Sequence, residues 1–357
     1  MDSLKELLLY ASTVSNEYNF IGHKDFGNGF EFYRSVIGVA SEAHRDFMEF
    51  KVTSLEIEDP YDLLKASIGG TIFITFHSGS YNMLCAHLLS KGEKTCMLSD
   101  TSSMLMNDYQ IVSSLYRQHF NNNGDCEMLN VQEEGFIFRL INKIRKSYPI
   151  LAFIDGNKGI DGLTKENENL IDINFLKGVV KVRKGLPYVA YITDRPIVLA
   201  IAYKDGGKNY LRLHEPIRKN EREDRETFCK RCLEYIFGTF GNHLKKYSEQ
   251  WASWPYLHSW ANLTAWQNRF VSDKVGSQID VQRLVFNSDR FLPLKLHEEF
   301  MLFDKMTYSA IKIEPNDAPL FSHKTSLSEK IKMLENLAAG ESSKIEQYVS
   351  KSILVEA

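Results

Sequence analysis

The stretch "TIFITFHSGSYNMLCAHLLSKG" (71–92) contains a candidate strand, a polar turn and a candidate helix in immediate succession. Every residue of 71–76 is β-branched or aromatic, which predicts a short buried strand. The residues from 80 onwards have helical spacing, and Gly92 is the residue type that commonly ends a helix. A strand followed directly by a helix is the repeating unit of α/β proteins, so this stretch decides the fold class.

The same alternation continues along the next hundred residues. Further strand candidates lie at 95–98, 126–131 and 149–154, and segments with helical spacing separate them. Two apolar runs flank Asp205-Gly206-Gly207, which is typical of a hairpin turn. We therefore expect an α/β fold with a central, mostly parallel sheet flanked by helices.

The sequence divides into a large domain and a small one. Residues 1–265 are assigned to the α/β domain, 266–290 to a polar linker, and 291–357 to a small α+β module. Within this module, residues 300–313 predict a hairpin that turns at Asp304-Lys305. Two helical stretches follow: the first begins with the capping-box spacing of Ser326 and Glu329, and the last, 343–357, ends the chain.

Composition excludes several classes of function. A formal net charge of -3 gives no support for nucleic acid as a partner. Five scattered cysteines predict reduced thiols in the cytoplasm, and the single pair Cys229 and Cys232 lacks the further ligands of a metal site. No stretch approaches the roughly 20 apolar residues of a membrane span. We expect a cytoplasmic protein without a metal, or one that meets the inner membrane from its surface.

His77 follows the first strand directly and precedes a helix. Ligands of parallel α/β sheets bind at the carboxyl ends of the strands, so His77 is a candidate general base. Ser78 and Gly79 follow it, and a turn of small residues lets a substrate approach the backbone, whose N–H groups can stabilise an oxyanion. The alternative is a histidine that only ends a strand.

Asp155 follows the strand candidate at 149–154 in the same manner. If the two strands are neighbours, Asp155 reaches the same edge as His77, where a carboxylate fixes the tautomer of an imidazole and stabilises its protonated form. The alternative is that Asp155 caps a turn. Between 174 and 185, basic residues are spaced around two glycines, which suits an anionic substrate. The alternative is a solvated helix face.

Five motifs occur in a fixed order along the chain. They are His77; Arg117; Asp155; Phe175, Gly178 and Gly185; and finally Glu249, Gln250, Trp251 and Trp254 in the last motif. This order and spacing resemble the lysophospholipid acyltransferase-like superfamily, in particular the branch of the lipid A late acyltransferases and the phosphatidylinositol mannoside acyltransferases. The resemblance covers roughly residues 30–262.

The resemblance implies transfer of a fatty acyl group from a thioester, on acyl carrier protein or coenzyme A, to a hydroxyl or amine. His77 is then the general base. The substrate-binding residues are Ser78, Gly79, Arg117, Lys158, Phe175, Gly178 and Arg183. The thioester is a co-substrate, and no further cofactor is implied. Two alternatives stay open: a weak or inactive module that binds acyl chains or peptides, and a thioester hydrolase.

Asn82 is the departure from this family, whose motif is His-x-x-x-x-Asp or Glu. Three hypotheses follow. Asn82 itself orients His77, as asparagine does in Cys-His-Asn proteases; Asp155 supplies the carboxylate; or the protein binds without catalysing.

The C-terminal module lies outside this resemblance. Residues 291–357 resemble the winged-helix modules related to the small peptide chaperone of pyrroloquinoline quinone biosynthesis. Such modules bind a leader peptide at a sheet edge. This resemblance implies an acceptor that is a peptide or a specialised metabolite rather than a membrane lipid, and hence peptide modification or lipopeptide biosynthesis; without it, the family resemblance of the main domain points to lipid biosynthesis. The alternative is a helical hairpin that packs on the main domain.

Overall fold

The structure is a computed structural model in which part of the chain is described. The described residues are 3–22, 29–64, 69–101, 109–155, 169–262, 280–322 and 325–356. They form two compact units: one comprises residues 20–262, and the other combines residues 1–19 with 263–357.

Helices and strands alternate through most of the larger unit. The helices are α1 (Leu4–Phe20), α2 (Gly29–Met48), α3 (Met83–Ser90), α4 (Tyr109–Phe120), α5 (Phe136–Arg145), α6 (Gly185–Thr193), α7 (Arg225–Tyr247), α8 (Leu327–Gly340) and α9 (Ser342–Ser350). The strands are β1 (Glu56–Glu58), β2 (Ile72–Thr75), β3 (Lys94–Ser99), β4 (Asp125–Asn130), β5 (Ile150–Phe153), β6 (Leu170–Phe175), β7 (Gly178–Arg183), β8 (Ile197–Asp205), β9 (Lys208–Leu213), β10 (Leu284–Phe286), β11 (Phe291–Leu296), β12 (Glu299–Asp304), β13 (Ser309–Ile313) and β14 (Leu354–Glu356).

The central sheet has seven strands in the order β1-β9-β8-β2-β5-β3-β4. Strands β8, β2, β5, β3 and β4 are parallel, and the hairpin from β8 to β9 introduces the antiparallel pair. The prediction of an α/β fold with a mostly parallel central sheet is confirmed at this level.

Burial on both faces explains why β2 is apolar throughout. All four residues of β2 are buried. Phe73 belongs to the core that also contains the apolar side chains of α3. Beyond the strand end, Phe76 stacks on Phe240 of α7. A strand covered on both faces has an unbroken apolar run rather than an alternating one.

The smaller unit is built around the antiparallel sheet β11-β12-β13. The side chains of its strand β12 point alternately into two separate hydrophobic cores. Met301 and Phe303 pack with Leu7 and Ala11 of α1, whereas Leu302 belongs to the core that includes residues of α8 and α9. Period-two alternation thus places α1 on one face of the sheet and α8 and α9 on the other.

Three details differ from the sequence-based expectation. Residues 1–19 were expected in the α/β domain but belong to the smaller unit, because α1 covers one face of its sheet. The expected linker, 266–290, contains strand β10 in its described part. The last stretch is not helical throughout, since helix α9 ends at Ser350 and β14 then pairs with β10.

Within the described ranges, no helix is long and apolar enough to cross a membrane.

Candidate active site

His77 lies in a loop at the carboxyl end of β2. The loop is held by the segment that follows α7. The carbonyl group of His77 accepts a hydrogen bond from the amide of Ala252 (2.9 Å), and the amide of Gly79 donates to the carbonyl of Gln250 (2.8 Å). These bonds fix the backbone on which the imidazole is mounted.

Strand register brings His77 and Asp155 together. Thr75 of β2 is paired with Phe153 of β5, so the residues two positions further along each strand are level. The Nδ1 atom of His77 lies 2.7 Å from Oδ1 of Asp155. The backbone amide of His77 donates to Oδ2 of the same carboxylate (3.0 Å). The predicted pairing of these two residues at one edge of the sheet is observed.

Asp155 is fully enclosed, with a side chain 0% exposed. Its Oδ2 atom also accepts hydrogen bonds from Nε1 of Trp251 (2.7 Å) and Oγ of Ser253 (2.9 Å). Burial alone would raise the pKa of Asp155, but the charge of His77 and the hydrogen bonds from His77 and Trp251 outweigh it, and the pKa lies below its ordinary value. Asp155 is therefore a fixed negative charge at neutral pH.

The imidazole of His77 is held between aromatic rings. It stacks on Phe153 at 4.3 Å between centroids and contacts Tyr81 edge-to-face at 4.9 Å. The side chain is 32% exposed. Because Nδ1 faces Asp155, Nε2 is the nitrogen that can exchange a proton with a substrate. This is the arrangement of a carboxylate-oriented general base.

Asn82 does not take the carboxylate's place at Nδ1. That nitrogen carries a single hydrogen, and its partner is Asp155. Asn82 is buried at the start of α3, where its backbone carbonyl accepts a hydrogen bond from the amide of Ala86 (2.9 Å). Of the three hypotheses about Asn82, the geometry favours the one in which Asp155 orients the base.

Gly79 has a packing role rather than the expected role in substrate approach. Its φ is +55°, and a Cβ atom there would lie 2.6 Å from Cα of Tyr203. The sequence-based expectation was that backbone amides of this turn stabilise an oxyanion. The amide of Gly79 already donates to the carbonyl of Gln250, so it is not such a donor. Ser78 is likewise enclosed: its amide donates to the carbonyl of Phe76 (2.7 Å), and its hydroxyl group is buried without a hydrogen-bond partner in the described structure.

A buried polar network anchors the other end of the loop. The hydroxyl group of Ser80 donates to Asp46 of α2, and Nδ2 of Asn209 donates to the same carboxylate oxygen (3.1 Å). Nζ of Lys204 lies 2.9 Å from that oxygen and 2.9 Å from the more exposed Glu42. Burial opposes ionisation of Asp46, but its hydrogen bonds from Ser80, Lys204 and Asn209 and the charge of Lys204 lower its pKa overall. The network ties helix α2 and the β8–β9 hairpin to the loop of His77.

Arg117 does not reach this site. Its Nη1 lies 2.8 Å from Oδ1 of Asp125, the first residue of β4. Because β4 is parallel to β2, Asp125 marks the amino edge of the sheet, opposite His77. Arg117 therefore lies near the edge of the sheet opposite His77, and its role in substrate binding stays a prediction.

Phe175, Gly178 and Arg183 belong to the hairpin of β6 and β7. Phe175 is buried edge-to-face against Trp251 (5.7 Å), so it supports the residue that bonds Asp155 rather than contacting substrate directly. Gly178 pairs with Phe175 at the turn, and Arg183 ends β7. The basic run is a strand here, not a helix face. Lys158 lies outside the described residues.

Cys229 and Cys232 are buried in α7. Burial raises the pKa of Cys229 to about 11 and that of Cys232 further, so both are neutral thiols at physiological pH. Among the described residues, no group of three or more His, Cys, Asp or Glu side chains could hold a metal ion.

Sequence reasoning missed Phe153, Tyr81, Ser253 and the function of Trp251. Trp251 was part of a motif, but nothing in the motif showed that its indole N–H would meet Asp155. Ser253, two residues further on, was the available signal for a second donor. No protein-family model matches the chain, and no curated protein matches it significantly.

Proposed function

We propose that the protein is an acyltransferase that moves a fatty acyl group from an acyl thioester to an acceptor. The observation that carries this proposal is the pairing of His77 with the buried, charged Asp155 at the carboxyl edge of the sheet. The order of the sequence motifs supports the same reading. Asp155 replaces the carboxylate that Asn82 lacks, which argues against a scaffold that only binds.

In the proposed reaction His77 Nε2 takes the proton of the acceptor as the acceptor attacks the thioester carbonyl. Asp155 stabilises the imidazolium that forms and holds Nδ1–H in place. When the tetrahedral intermediate collapses, the C–S bond breaks, and the imidazolium returns the proton to the departing thiolate. The acyl group then forms an ester or an amide with the acceptor.

The charged partner of His77 favours a hydroxyl acceptor. A neutral amine attacks a thioester without prior deprotonation, whereas a hydroxyl group needs a base in the transition state. A full negative charge behind the imidazole supplies more stabilisation of the imidazolium than an amide would. We therefore place hydroxyl acceptors ahead of amine acceptors.

The partners follow from the same proposal. The donor is acyl carrier protein or acyl-coenzyme A, and the acceptor is a peptide or a lipid. In the smaller unit, β13 is a terminal strand of the sheet β11-β12-β13, and such an edge can receive an extended peptide. The reaction would take place in the cytoplasm or at the inner face of the membrane, in lipid or lipopeptide biosynthesis.

The test is turnover of a panel of acyl thioesters, with intact-mass detection of acylated acceptors and free thiol release. His77→Ala should lower the turnover number by about 10²–10⁴-fold, the usual contribution of a general base. Asp155→Asn should lower it by about 10³–10⁴-fold, as in other His–carboxylate pairs. His119→Ala, an exposed histidine of α4, is the matched control and should leave turnover unchanged.

Full activity of His77→Ala would refute the proposal. Asn82→Asp should change turnover only modestly, because Nδ1 is already occupied by Asp155. If free fatty acid appears at the full rate without any acceptor, the same site is that of a thioester hydrolase.

A further inference from the structure

Attack on a thioester places a negative charge on the former carbonyl oxygen, and that oxyanion needs a hydrogen-bond donor. Most hydrogen-bond donors around His77 already bond other groups of the protein. The amides of Ser78 and Gly79 bond the carbonyls of Phe76 and Gln250. The hydroxyl group of Ser80 donates to Asp46.

The remaining side chains beside Asp155 are committed too. Trp251 and Ser253 direct their donors at its carboxylate. The hydroxyl group of Ser78 is enclosed by protein and cannot meet a substrate without rearrangement. The amide side chain of Asn82 is buried at the start of α3. Among the described side-chain donors of this loop, Tyr81 is therefore the one to consider.

Tyr81 lies directly against the base. Its ring contacts the imidazole of His77 edge-to-face at 4.9 Å and the ring of Phe153 at 5.4 Å, so two aromatic contacts fix its orientation. The side chain is half-buried. In the described part of the chain its hydroxyl group meets no hydrogen-bond partner. Burial and the charge of Asp155 raise the pKa of Tyr81 to about 12, so the hydroxyl group keeps its proton at neutral pH.

The distance between Tyr81 and His77 is compatible with a hydrogen bond from Tyr81 to the oxyanion. The attacking atom lies about 3 Å from His77 Nε2 and about 3 Å from the carbonyl carbon, which places the developing oxyanion on that carbon within roughly 7 Å of Nε2. The ring centroid of Tyr81 lies 4.9 Å from that of the imidazole, which is close enough for the Tyr81 hydroxyl group to enter this region.

We propose that Tyr81 is a catalytic residue whose hydroxyl group donates a hydrogen bond to the oxyanion of the tetrahedral intermediate. The inference rests on the proposed acyl transfer at His77. It gives the loop two tasks: His77 moves the proton, and Tyr81, four residues later, holds the charge on oxygen. No covalent bond to Tyr81 forms, and its proton stays on the phenol.

The experiment compares Tyr81→Phe with the wild type under steady-state conditions. The variant retains the ring contacts with His77 and Phe153 and loses only the donor. Its turnover number should fall by about 10²–10³-fold with little change in KM, the effect of removing one oxyanion donor. Tyr256→Phe, an exposed tyrosine of the same unit, is the matched control and should have wild-type kinetics.

A second readout separates an oxyanion donor from a packing residue. A trifluoromethyl ketone analogue of the thioester mimics the tetrahedral adduct, and a thioether analogue mimics the ground state. Tyr81→Phe should weaken binding of the ketone by about the same factor as kcat/KM and leave binding of the thioether unchanged.

Wild-type turnover of Tyr81→Phe, or equal weakening of both analogues, would overturn the assignment of Tyr81. The two proposals fail in different ways. Retained activity of His77→Ala removes the acyltransferase proposal itself, whereas an inactive His77→Ala together with a fully active Tyr81→Phe removes only the role of Tyr81.

Discussion

Asp155 receives four hydrogen bonds from the described residues, two from His77 and one each from Trp251 and Ser253. A carboxylate with so many donors cannot rotate, and therefore the imidazole it holds cannot rotate either. The two donors outside His77 come from one short segment after α7, so the precision of the base depends on residues nearly a hundred positions away from Asp155.

Trp251→Phe tests this dependence. The change keeps an aromatic ring beside Phe175 and removes the N–H that bonds Asp155. A hydrogen bond to a charged group contributes about 1.5–3 kcal/mol, so turnover should fall by about tenfold or more. Trp254→Phe is the matched control, because its indole donates to the carbonyl of Ser248 and not to Asp155. Both variants should lose stability, but equal turnover in the two would contradict the positioning role of Trp251.

Gly79 and Gly206 separate backbone strain from steric exclusion. Their φ values are +55° and +54°, but a Cβ atom at Gly206 meets nothing within 4 Å, whereas one at Gly79 meets the backbone of Tyr203. Gly206→Ala should cost about 1–2 kcal/mol, the left-handed penalty alone. Gly79→Ala should cost clearly more in urea unfolding, because the backbone of β8 must also move. Equal losses would show that the loop can shift away from β8.

At the scale of elements, the network around Asp46 joins α2, the His77 loop, β8 and β9. Lys204 bonds two carboxylates at the same distance, and these differ in burial: Asp46 is buried and Glu42 is half-exposed. Removing one partner of a buried ion pair leaves the other charge uncompensated, whereas an exposed pair contributes little. The two acids are therefore an internal comparison.

Asp46→Ala should lower the free energy of unfolding by about 2–3 kcal/mol, below the range for fully buried pairs because Lys204 is partly exposed. Glu42→Ala should lower it by about 0–1 kcal/mol. Urea denaturation followed by circular dichroism measures both. A large effect of Glu42→Ala would mean that the exposed carboxylate, not the network, anchors Lys204.

Most elements could be predicted because their signals are local. The strand at 72–75, the hairpin at Gly206-Gly207 and the capping box of Ser326 and Glu329 each depend on a few consecutive residues. His77 and Asp155 were predictable together because parallel strands end at a common edge. The position of Arg117 relative to that edge could not be predicted, because the placement of a helical residue depends on tertiary packing. The hydrogen bond from Trp251 to Asp155 could not be predicted either, because the two residues are 96 positions apart in the sequence.

At the scale of the whole chain, several histidines of the unit 20–262 are held neutral by their surroundings. Burial first, then nearby cations, lowers the pKa of His214 and His243 to about 4, and burial lowers that of His258 to about 4. Unfolded histidine titrates near pH 6.5, so between pH 6.5 and about 4 the unfolded state binds more protons. Stability should therefore fall as the pH falls through this window, while Asp155 stays ionised.

His243→Phe should reduce this dependence. His243 packs against Tyr203 and Tyr247, and phenylalanine suits these aromatic neighbours. Each proton taken up only by the unfolded state gives a slope of at most about 1.4 kcal/mol per pH unit, and the variant should lose up to one such contribution. Unfolding free energies in urea at several pH values from 4 to 7 measure the slope. An unchanged slope would show that His243 does not titrate differently in the two states.

The packing of α1 in the smaller unit also sets an order of events during synthesis. Leu7 and Ala11 leave the ribosome about 290 residues before Met301 and Phe303, the side chains that cover them. At a rate of about 5–20 residues per second, this interval lasts on the order of 15–60 s. For that time, the apolar stripe of α1 has no native partner in the sheet. Conversely, a chain without residues 1–19 would leave the apolar side chains of Leu294, Met301 and Phe303 uncovered. Loss of these residues would therefore destabilise a sheet that lies about 290 residues further along the chain.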